Sequence, residues 1–412
     1  MNDISKIRSI DEGAFAGKRV LLRVDINCPI DKQTGQIAND NRIVKSIPTI
    51  RDLLDKGARL TIIAHQGDTT DYSSLISLSE HAERLSAALG KPVDFIEDVA
   101  GPAAVDKIMM LGDGEALLLD NLRYLTEEVS TFEDSVTQDP ADMGNSYLVR
   151  RLAPVFDCYV NDAFAAAHRN SPSMVAFQEL LPSHAGRLLM QELAALQSIT
   201  DSPAKPCIYL LGGSRAGDAF GMIDQVLKDG SADQLLLSGL VGQIFMMADD
   251  INIGKSSAGF IRHKGFEQYI ASAKKFLNNY RNKISYASDV AVEVDGKRHN
   301  VTVTEVADDQ DISDIGDQTI ADYVAAIAAA KTIFVNGPAG IYESELFEKG
   351  TKSLWNAVAD SEGFSVIGGG DSVTSFAKYT ELSKLNYVST AGGALIQYLS
   401  GVRLPLLEAI SK

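Results

Sequence analysis

Arginine and histidine side chains follow several short apolar runs in the first half of the chain. The acidic and amide side chains of two neighbours complete this group, whose members are Asp25, Asn27, Arg42, His65, Arg123, His168 and Arg169. The fork of an arginine matches two oxygens of a phosphate or carboxylate, and histidine adds a further donor. The first half of the chain is therefore predicted to bind a small anionic substrate.

Glycine-rich turns take the same place in the second half. The apolar runs there lead into Gly212-Gly213-Ser214-Arg215, Asn336-Gly337-Pro338 and Gly368-Gly369-Gly370-Asp371. Backbone N–H groups in such turns can approach a phosphate, and the positive end of a following helix dipole strengthens the attraction. Because turns after strands are often polar and rich in glycine, no single turn carries the argument. Together they predict a second, phosphate-bearing substrate.

Strands and helices must alternate to bring these turns together. The apolar runs are mostly continuous, as in strands that are covered on both faces. Segments with helical spacing lie between them, so we expect parallel sheets and an α/β fold, with ligands at the carboxyl ends of the strands. The predicted strands are Arg19–Val24, Leu60–Ala64, Ala116–Leu119, Cys158–Val160, Ile208–Leu211, Leu235–Leu237, Thr332–Val335 and Phe364–Ile367, and the predicted helices Ile47–Lys56, Glu80–Leu89, Phe266–Asn279, Thr319–Ala330 and Thr351–Asp360.

Two features divide the chain further. The stretches Ile284–Val294 and Arg298–Val306 predict a hairpin around Asp295-Gly296. A length of 412 residues predicts two or three domains, and we expect the boundary near Pro182-Ser183-His184-Ala185-Gly186. Two substrates held by different domains would meet across a cleft, and closure of that cleft would exclude water.

The composition excludes several classes of protein. Asp and Glu number 55 against 38 Lys and Arg, and a net charge of −17 disfavours nucleic acid and anionic membranes as partners. The three cysteines lie far apart, which argues against a disulfide framework or a structural zinc site. No apolar run approaches membrane-spanning length, and the start of the chain lacks a signal peptide pattern. We therefore expect a cytoplasmic protein.

Competing motifs are weak. Gly254-Lys255-Ser256 lacks the preceding glycine of a P-loop, and neither GxGxxG after a strand nor GxSxG occurs. The histidines form no metal-binding pair, and we expect His81, His263 and His299 at the surface. Glu127-Glu128 is likewise expected to be a solvated pair of charges.

Taken together, the motifs resemble the phosphoglycerate kinase family, and most closely its archaeal-type branch. The similarity extends in order over nearly the whole chain: LLRVDINCP, NDNRIVKSIPTI, LLLDNLRY, YVNDAFAAAHR, LLGGSRAGD, IFVNGPAGIYE, FEKGT, IGGGDS, VSTAGGAL and LSGVRLPLLEAI. The resemblance implies two doubly wound, Rossmann-like α/β domains joined by a hinge helix. It implies a phosphoglycerate-binding domain at 1–184, onto which 399–412 packs back, and a nucleotide-binding domain at 185–398.

The resemblance also implies an activity and a set of site residues. The enzyme would transfer a phosphoryl group between 1,3-bisphosphoglycerate and ADP, or from ATP to 3-phosphoglycerate, with Mg²⁺, in glycolysis or gluconeogenesis. No partner other than these small molecules is expected, and the chain would act as a monomer or homodimer. Asp25, Asn27, Arg42, His65, Arg123 and Arg169 would bind phosphoglycerate; Gly212, Gly213, Arg215, Asn336, Pro338, Glu343, Gly369, Gly370, Asp371 and Ser372 would bind the nucleotide; Arg42 and Arg215 would be catalytic, and Asp371 would hold the nucleotide-bound Mg²⁺.

The chain departs from the family pattern at the site itself. The family loop His-x-Gly-Arg, whose arginine binds the non-transferred phosphate, is His65-Gln66-Gly67-Asp68 here. The lysine of the family's Gly-Gly-Ala-Lys loop is Arg215, and milder changes occur at Ala219, Ser372 and Ala391. Two hypotheses follow: a working phosphoglycerate kinase, or a diverged paralogue that binds nucleotide with an altered substrate or without catalysis because of Asp68.

Overall fold

The structure is a computed structural model that describes residues 4–67 and 75–412. The chain divides into two compact units, Met1–Leu193 together with Arg403–Lys412, and Ala194–Val402. Each unit contains one six-stranded parallel sheet with intervening helices, which confirms the predicted α/β class. No helix in the described residues is long and apolar enough to cross a membrane. The ranges 1–184 and 185–398, with the substrates assigned to them, stay a prediction.

The first unit is built on a sheet in which all neighbouring strands are parallel. Its strands are β1 (Arg19–Val24), β2 (Arg59–Ile63), β3 (Val93–Ile96), β4 (Ala116–Leu119), β5 (Cys158–Asp162) and β6 (Ser183–Ala185), in the order β3-β4-β2-β1-β5-β6. The helices are α1 (Asn41–Asp55), α2 (Ser79–Leu89), α3 (Pro102–Met110), α4 (Ser130–Ser135), α5 (Pro140–Met143), α6 (Tyr147–Leu152), α7 (Pro172–Val175) and α8 (Arg187–Thr200), which contains the boundary between the units.

The second unit has a parallel sheet and a smaller antiparallel one. The strands are β7 (Cys207–Leu211), β8 (Gln234–Leu237), β9 (Ile284–Ser285), β10 (Asp289–Val294), β11 (Lys297–Thr302), β12 (Asp314–Ile315), β13 (Thr332–Asn336), β14 (Phe364–Gly368) and β15 (Tyr387–Val388), in the orders β15-β14-β13-β7-β8-β9 and β11-β10-β12. The helices are α9 (Ala216–Lys228), α10 (Gly239–Ala248), α11 (Lys255–His263), α12 (Ile270–Tyr280), α13 (Asp317–Ala329), α14 (Lys349–Ala359), α15 (Gly370–Tyr379), α16 (Gly393–Leu399) and α17 (Pro405–Ile410), the last of which belongs to the first unit.

Continuous apolar sequences form the central strands because both of their faces are buried. All four residues of β4 and five of the six in β1 are buried. Helix α1 covers this core with Ile43, Ile47, Ile50 and Leu54, which recur every three or four residues and therefore share one face. The sequence pattern thus fixes which side of α1 faces the sheet.

The order of strands reverses beside the first strand of each parallel sheet. In the first unit, β2 and β4 lie on one side of β1 and β5 lies on the other; in the second unit, β8 and β13 flank β7 in the same way. In open α/β sheets, ligands bind at the carboxyl ends of the strands where the order reverses. The turns after β1, β5, β7 and β13 are therefore the positions to inspect for a site.

The predicted hairpin is confirmed around Asp295-Gly296, but both of its strands are shorter than expected, and the second ends at Thr302. Strands β10 and β11 pair antiparallel, and Asp295 and Gly296 have φ of 52° and 72°. The stretch from Ile284 is divided instead, because β9 pairs with the parallel sheet. Asp289 begins the new strand, and its carboxylate accepts from the backbone N–H of Thr319 at 2.8 Å in the first turn of α13. This hydrogen bond joins the start of β10 to the start of α13.

A buried carboxylate caps the start of α8. Asp162 at the end of β5 is 1% exposed, and its Oδ1 accepts from the backbone N–H of Leu189 at 2.9 Å. The backbone N–H of Arg187 donates to Thr49 Oγ1 at 2.8 Å, and the Arg187 side chain pairs with Asp11 and Asp52. The first turn of α8 is therefore tied to the sheet and to α1.

We predict that Asp162→Asn removes a pH dependence of stability. Burial raises the pKa of Asp162 from 3.8 to about 6. The folded chain then holds a proton that the unfolded chain has released, so stability falls as pH rises from 3.8 through about 6. The asparagine stays neutral, and the free energy of unfolding of wild type relative to the variant should fall across this window and level off above it.

The measurement is urea denaturation at a series of pH values, followed by circular dichroism, because the only tryptophan, Trp355, lies in the second unit. Asp134→Asn, at an exposed position of α4, controls for the loss of a carboxylate. Parallel curves for wild type and Asp162→Asn would contradict the prediction.

Candidate active site

The carboxyl end of β1 carries an ion pair at the entrance to α1. Asp25 follows β1 directly and is 8% exposed, and Arg42 in the first turn of α1 donates to its Oδ2. Burial alone would raise the pKa of Asp25, but the charges of Arg42 and other cations outweigh it and lower the pKa to about 2. Asp25 is therefore ionised throughout the physiological range and orients the Arg42 guanidinium.

His65 lies beside this pair, at the end of β2. Its Nε2 is 3.5 Å from Asn27 Nδ2, and the backbone N–H of Gly67 donates to Asn27 Oδ1 at 2.9 Å. Burial lowers the pKa of His65 well below its ordinary value, and the charge of Arg23 lowers it further. The loops after β1 and β2 thus present one amide and one neutral imidazole side by side.

Gln66 joins three of these loops. It is 2% exposed; its side chain exchanges hydrogen bonds with the backbone of Cys28 at 2.8 and 2.9 Å, and its backbone exchanges two with the Asn121 side chain at 3.0 and 2.9 Å. His81 Nε2 lies 3.0 Å from Gln66 Oε1. The loops after β1, β2 and β4 are therefore held in one arrangement by buried amide groups.

The predicted surface position of His81 is wrong. His81 is fully buried on the face of α2 that also carries Ala82, Leu85 and Leu89, and burial lowers its pKa to about 4. Glu128, expected in a solvated pair, is only 5% exposed and accepts from the backbone N–H of Ser173 at 2.7 Å. Both residues became buried through partners that are distant in sequence.

Arg123 and Arg169 complete the set predicted for the first unit. Burial is the main cause of the lowered pKa of His65, and the charges of both arginines contribute to it. Arg169 Nε donates to Glu133 Oε2 at 2.6 Å, and the backbone N–H of Arg123 donates to Asn121 Oδ1 at 3.1 Å. All six predicted phosphoglycerate-binding residues thus lie in or beside one group of loops at the carboxyl edge of the sheet. Asp68 lies outside the described residues.

Sequence reasoning missed Arg23, which lies under this group. It is 2% exposed, and its Nη2 is 2.8 Å from His65 Nδ1. The sequence does contain a signal for it, because Arg23 lies within the apolar run of β1. A charge at a buried position needs a hydrogen-bonding partner, which marks such a residue for inspection.

The turns after β7 and β13 pack backbone against backbone in the second unit. Gly212 N–H donates to Asn336 O at 2.9 Å, and Gly213 N–H donates to Pro338 O at 2.8 Å. A Cβ on Gly337 would lie 2.2 Å from Gly212 O, and its φ is 92°. Glycine is needed at this position because a side chain would be both strained and in collision.

Hydroxyl groups on two helices hold the second of these turns. Ser372 Oγ, in the first turn of α15, accepts from Gly337 N–H at 2.7 Å. Thr351 Oγ1, in α14, accepts from Ala339 N–H at 3.0 Å. Asn336 Nδ2 donates to Gly368 O at 2.9 Å, so the turns after β13 and β14 are also linked.

A cavity of about 480 Å³ opens beside these turns. Among the predicted nucleotide residues, Gly213, Pro338, Glu343 and Asp371 line it, with apolar neighbours such as Met246 and Phe260. Gly212, Asn336, Gly369, Gly370 and Ser372 lie in or next to the turns behind it, and Arg215 is exposed at the start of α9. An apolar cavity edged by glycine turns and helix N-termini suits a ligand with an apolar ring and phosphates.

Fold and sites together define an α/β protein with one cluster of basic side chains and one glycine-edged cavity, each at the carboxyl edge of its own parallel sheet. The family model described as "Phosphoglycerate kinase" matches residues 10–402. The chain belongs to the phosphoglycerate kinase family.

Individual relatives agree with this assignment. The chain is 41% identical to the phosphoglycerate kinase of Methanothermobacter thermautotrophicus over 99% of this chain and 97% of the relative, and 41% identical to that of Sulfurisphaera tokodaii over 97% and 95%. Among solved structures, the phosphoglycerate kinase from Pyrococcus horikoshii superposes with a TM-score of 0.87 at 36% identity, covering 98% of this chain and 99% of the other. That from Coxiella burnetii gives 0.82 at 30% identity, covering 98% of each. The resemblance to the archaeal-type branch is confirmed.

We predict opposite effects of alanine at two glycines of the second unit. A Cβ on Gly212 would lie 2.4 Å from Pro338 O and 2.5 Å from Ser238 Oγ, whereas a Cβ on Gly370 meets no described atom within 4 Å. Gly212→Ala should lower the free energy of unfolding by about 1–3 kcal/mol through overpacking. Gly370→Ala should leave it unchanged or raise it, because alanine favours a helix.

Urea denaturation followed by the fluorescence of Trp355, which is 1% exposed in the same unit, measures both. Equal stability of the two variants would contradict the prediction, because it would show that the turns around Gly212 have room for a Cβ.

Proposed function

We propose that this chain is a phosphoglycerate kinase that transfers a phosphoryl group between 1,3-bisphosphoglycerate and ADP, or from ATP to 3-phosphoglycerate. The observation that carries the proposal is the match to the family over residues 10–402, in a chain whose two sheets end in two chemically different sites. The acceptor is then a carboxyl group, and the reaction belongs to glycolysis or gluconeogenesis. The comparisons do not support the alternative of a diverged paralogue.

Phosphoglycerate would bind in the first unit. Asp25 holds Arg42 at the end of β1, which leaves the arginine oriented towards a substrate anion. Asn27 and neutral His65 would donate hydrogen bonds, and Arg123 and Arg169 would supply charge. Phosphoryl transfer needs position and compensating positive charge more than covalent chemistry, so we assign the catalytic role to Arg42.

The nucleotide would bind in the second unit. The ring would occupy the apolar cavity lined by Met246 and Phe260, and the phosphates would face the glycine turns, with Arg215 balancing the charge of the transferred group. Glu343 lines the same cavity and would meet the ribose. In-line transfer on closure of a hinge stays a prediction.

Mg²⁺ would arrive with the nucleotide. Within residues 4–67 and 75–412, no group of three His, Cys, Asp or Glu side chains could hold a metal ion alone. Asp371, exposed at the first turn of α15 beside the cavity, fits the need of Mg²⁺ for one carboxylate plus phosphate oxygens and water. When bound, the ion would neutralise phosphate charge. A cytoplasmic location and a monomeric or homodimeric state stay predictions.

We predict that the purified protein turns over 3-phosphoglycerate and MgATP in a coupled assay of ADP production. We further predict that Asp68→Arg lowers the KM for phosphoglycerate by about tenfold to several hundredfold. A charged hydrogen bond contributes about 1.5–3 kcal/mol, each decade corresponds to about 1.4 kcal/mol, and removal of a like charge adds to the gain.

The KM for MgATP is the internal control, because the substitution lies outside the second unit. Absence of turnover in both proteins, with ATP still bound, would contradict the proposed function. Turnover without any gain in the variant would contradict only the role given to position 68.

We predict that Thr351→Val raises the KM for MgATP by about tenfold. Thr351 is fully buried, and valine has its shape but leaves the N–H of Ala339 without its acceptor. A lost hydrogen bond of this kind costs about 1–3 kcal/mol, which appears as weaker binding beside the displaced turn. Thr351→Ser keeps the hydroxyl and should restore the affinity, while the KM for phosphoglycerate should change in neither variant. An unchanged KM for MgATP in Thr351→Val would remove the turn from the nucleotide site.

A further inference from the structure

A line of buried hydrogen bonds leads from His65 into the interior of the first unit. Arg23 Nη2 lies 2.8 Å from His65 Nδ1, and Arg23 Nε donates to Ser173 Oγ at 3.3 Å. Ser173 Oγ donates in turn to Glu128 Oε2 at 2.6 Å. Arg23, Ser173 and Glu128 are 2%, 0% and 5% exposed. Side chains from β1, α7 and the segment before α4 are therefore joined behind the substrate site.

The direction of these hydrogen bonds fixes a proton. A guanidinium has donors and no acceptor, so the nitrogen of His65 that faces Arg23 must accept. Nδ1 therefore carries no proton, and a neutral ring carries its proton on Nε2. That nitrogen lies on the side of the ring away from Arg23. Asn27 Nδ2, 3.5 Å from it, is also a donor, so these two atoms form no hydrogen bond in this tautomer, and the shorter contact of 2.8 Å with Arg23 decides the proton position.

We infer that Arg23 is a positioning residue, which holds His65 as a neutral imidazole protonated on Nε2, and that Ser173 and Glu128 hold Arg23 in the required orientation. The inference rests on the proposed function in one respect: the Nε2–H is taken to donate to an oxygen of phosphoglycerate. His65 then contributes a directed hydrogen bond to the substrate and no charge.

The charged groups around His65 support the neutral form. Among the described residues, Arg23, Arg123 and Arg169 oppose protonation of His65, and Asp25 favours it. Burial is the largest contribution and lowers the pKa of His65. The ring therefore stays neutral throughout the range in which the enzyme would work.

The chain uses an arginine here because the position requires three hydrogen bonds at once. Nη1 donates to the backbone oxygen of Val24, Nε to Ser173 and Nη2 to His65. A lysine has one nitrogen on a flexible stem and cannot hold this planar arrangement. Glu128 lies on the far side of Ser173. Burial lowers the pKa of Arg23, and the charge of Glu128 opposes that shift.

The test is the proton position on His65 itself. Protein with ¹⁵N-labelled histidine is titrated between pH 6 and 8 by NMR, and the His65 signals are assigned with His65→Gln. In wild type we expect a single neutral form protonated on Nε2, unchanged over this range. In Arg23→Met we expect a mixture of both tautomers and a titration that moves towards the ordinary pKa. A wild-type ring protonated on Nδ1, or one that titrates within this range, would overturn the inference.

Two variants guard against loss of the fold. Arg19→Gln removes a cation from the other end of β1, where its Nε donates to Val155 O at 2.6 Å, and should leave the His65 signals unchanged. Arg23→Met combined with Glu128→Gln avoids a buried carboxylate without its cation, and should show the same mixture of tautomers as Arg23→Met. Tautomers as in wild type in the double variant would overturn the inference.

Kinetics connect the proton position to substrate binding. With Arg23→Met, the KM for phosphoglycerate should rise by about tenfold and gain a pH dependence absent from wild type, while the KM for MgATP stays constant. An equal change in both KM values would indicate a general structural effect and overturn the assigned role. The NMR result needs no turnover, so it stands or fails separately from the proposed kinase activity.

Discussion

The reversal of strand order beside β1 and beside β7 is the constraint on which both sites depend. Parallel strands end at one edge of a sheet, and ligands bind at that edge beside the point where the order reverses. Asn27 Nδ2 and His65 Nε2 lie 3.5 Å apart because their residues follow β1 and β2, which are neighbours with a fixed register. The turns at Gly212 and Asn336 meet for the same reason, because β7 and β13 are neighbours.

The two units would hold an anion in different ways. In the second unit, the turns after β7 and β13 pack backbone against backbone, which requires the absence of side chains at Gly212 and Gly337. Backbone N–H groups and the start of α15 are then left beside the cavity. In the first unit, side chains carry the charge, and buried amides such as Gln66 and Asn121 fix the loops that bear them. Backbone suits a ligand with several phosphates, and oriented arginines suit a small acid.

The sequence predicted the strands well because their apolar runs are continuous and end at polar turns. β1 and β4 begin and end where the sequence indicated. The predicted phosphoglycerate residues also converge in the first unit, since each follows a strand of one sheet. What could not be predicted depends on partners distant along the chain: His81 is buried against Gln66, 15 residues away, and Glu128 against Ser173, 45 residues away. The residues next to His81 and Glu128 in the sequence give no indication of these partners.

Charge in the first unit is arranged in pairs, and this decides how an acidic protein can bind an acidic substrate. Arg42 faces Asp25, Arg169 faces Glu133, and Arg23 is linked to Glu128 through Ser173. Without these carboxylates, several cations close together in a partly buried site would be unfavourable, because they would repel one another and lose hydration. The carboxylates reduce this repulsion and also orient the guanidinium groups. The attraction for a substrate would then come from the direction of the guanidinium groups rather than from excess positive charge, which agrees with a neutral His65 and with a net charge of −17 for the chain.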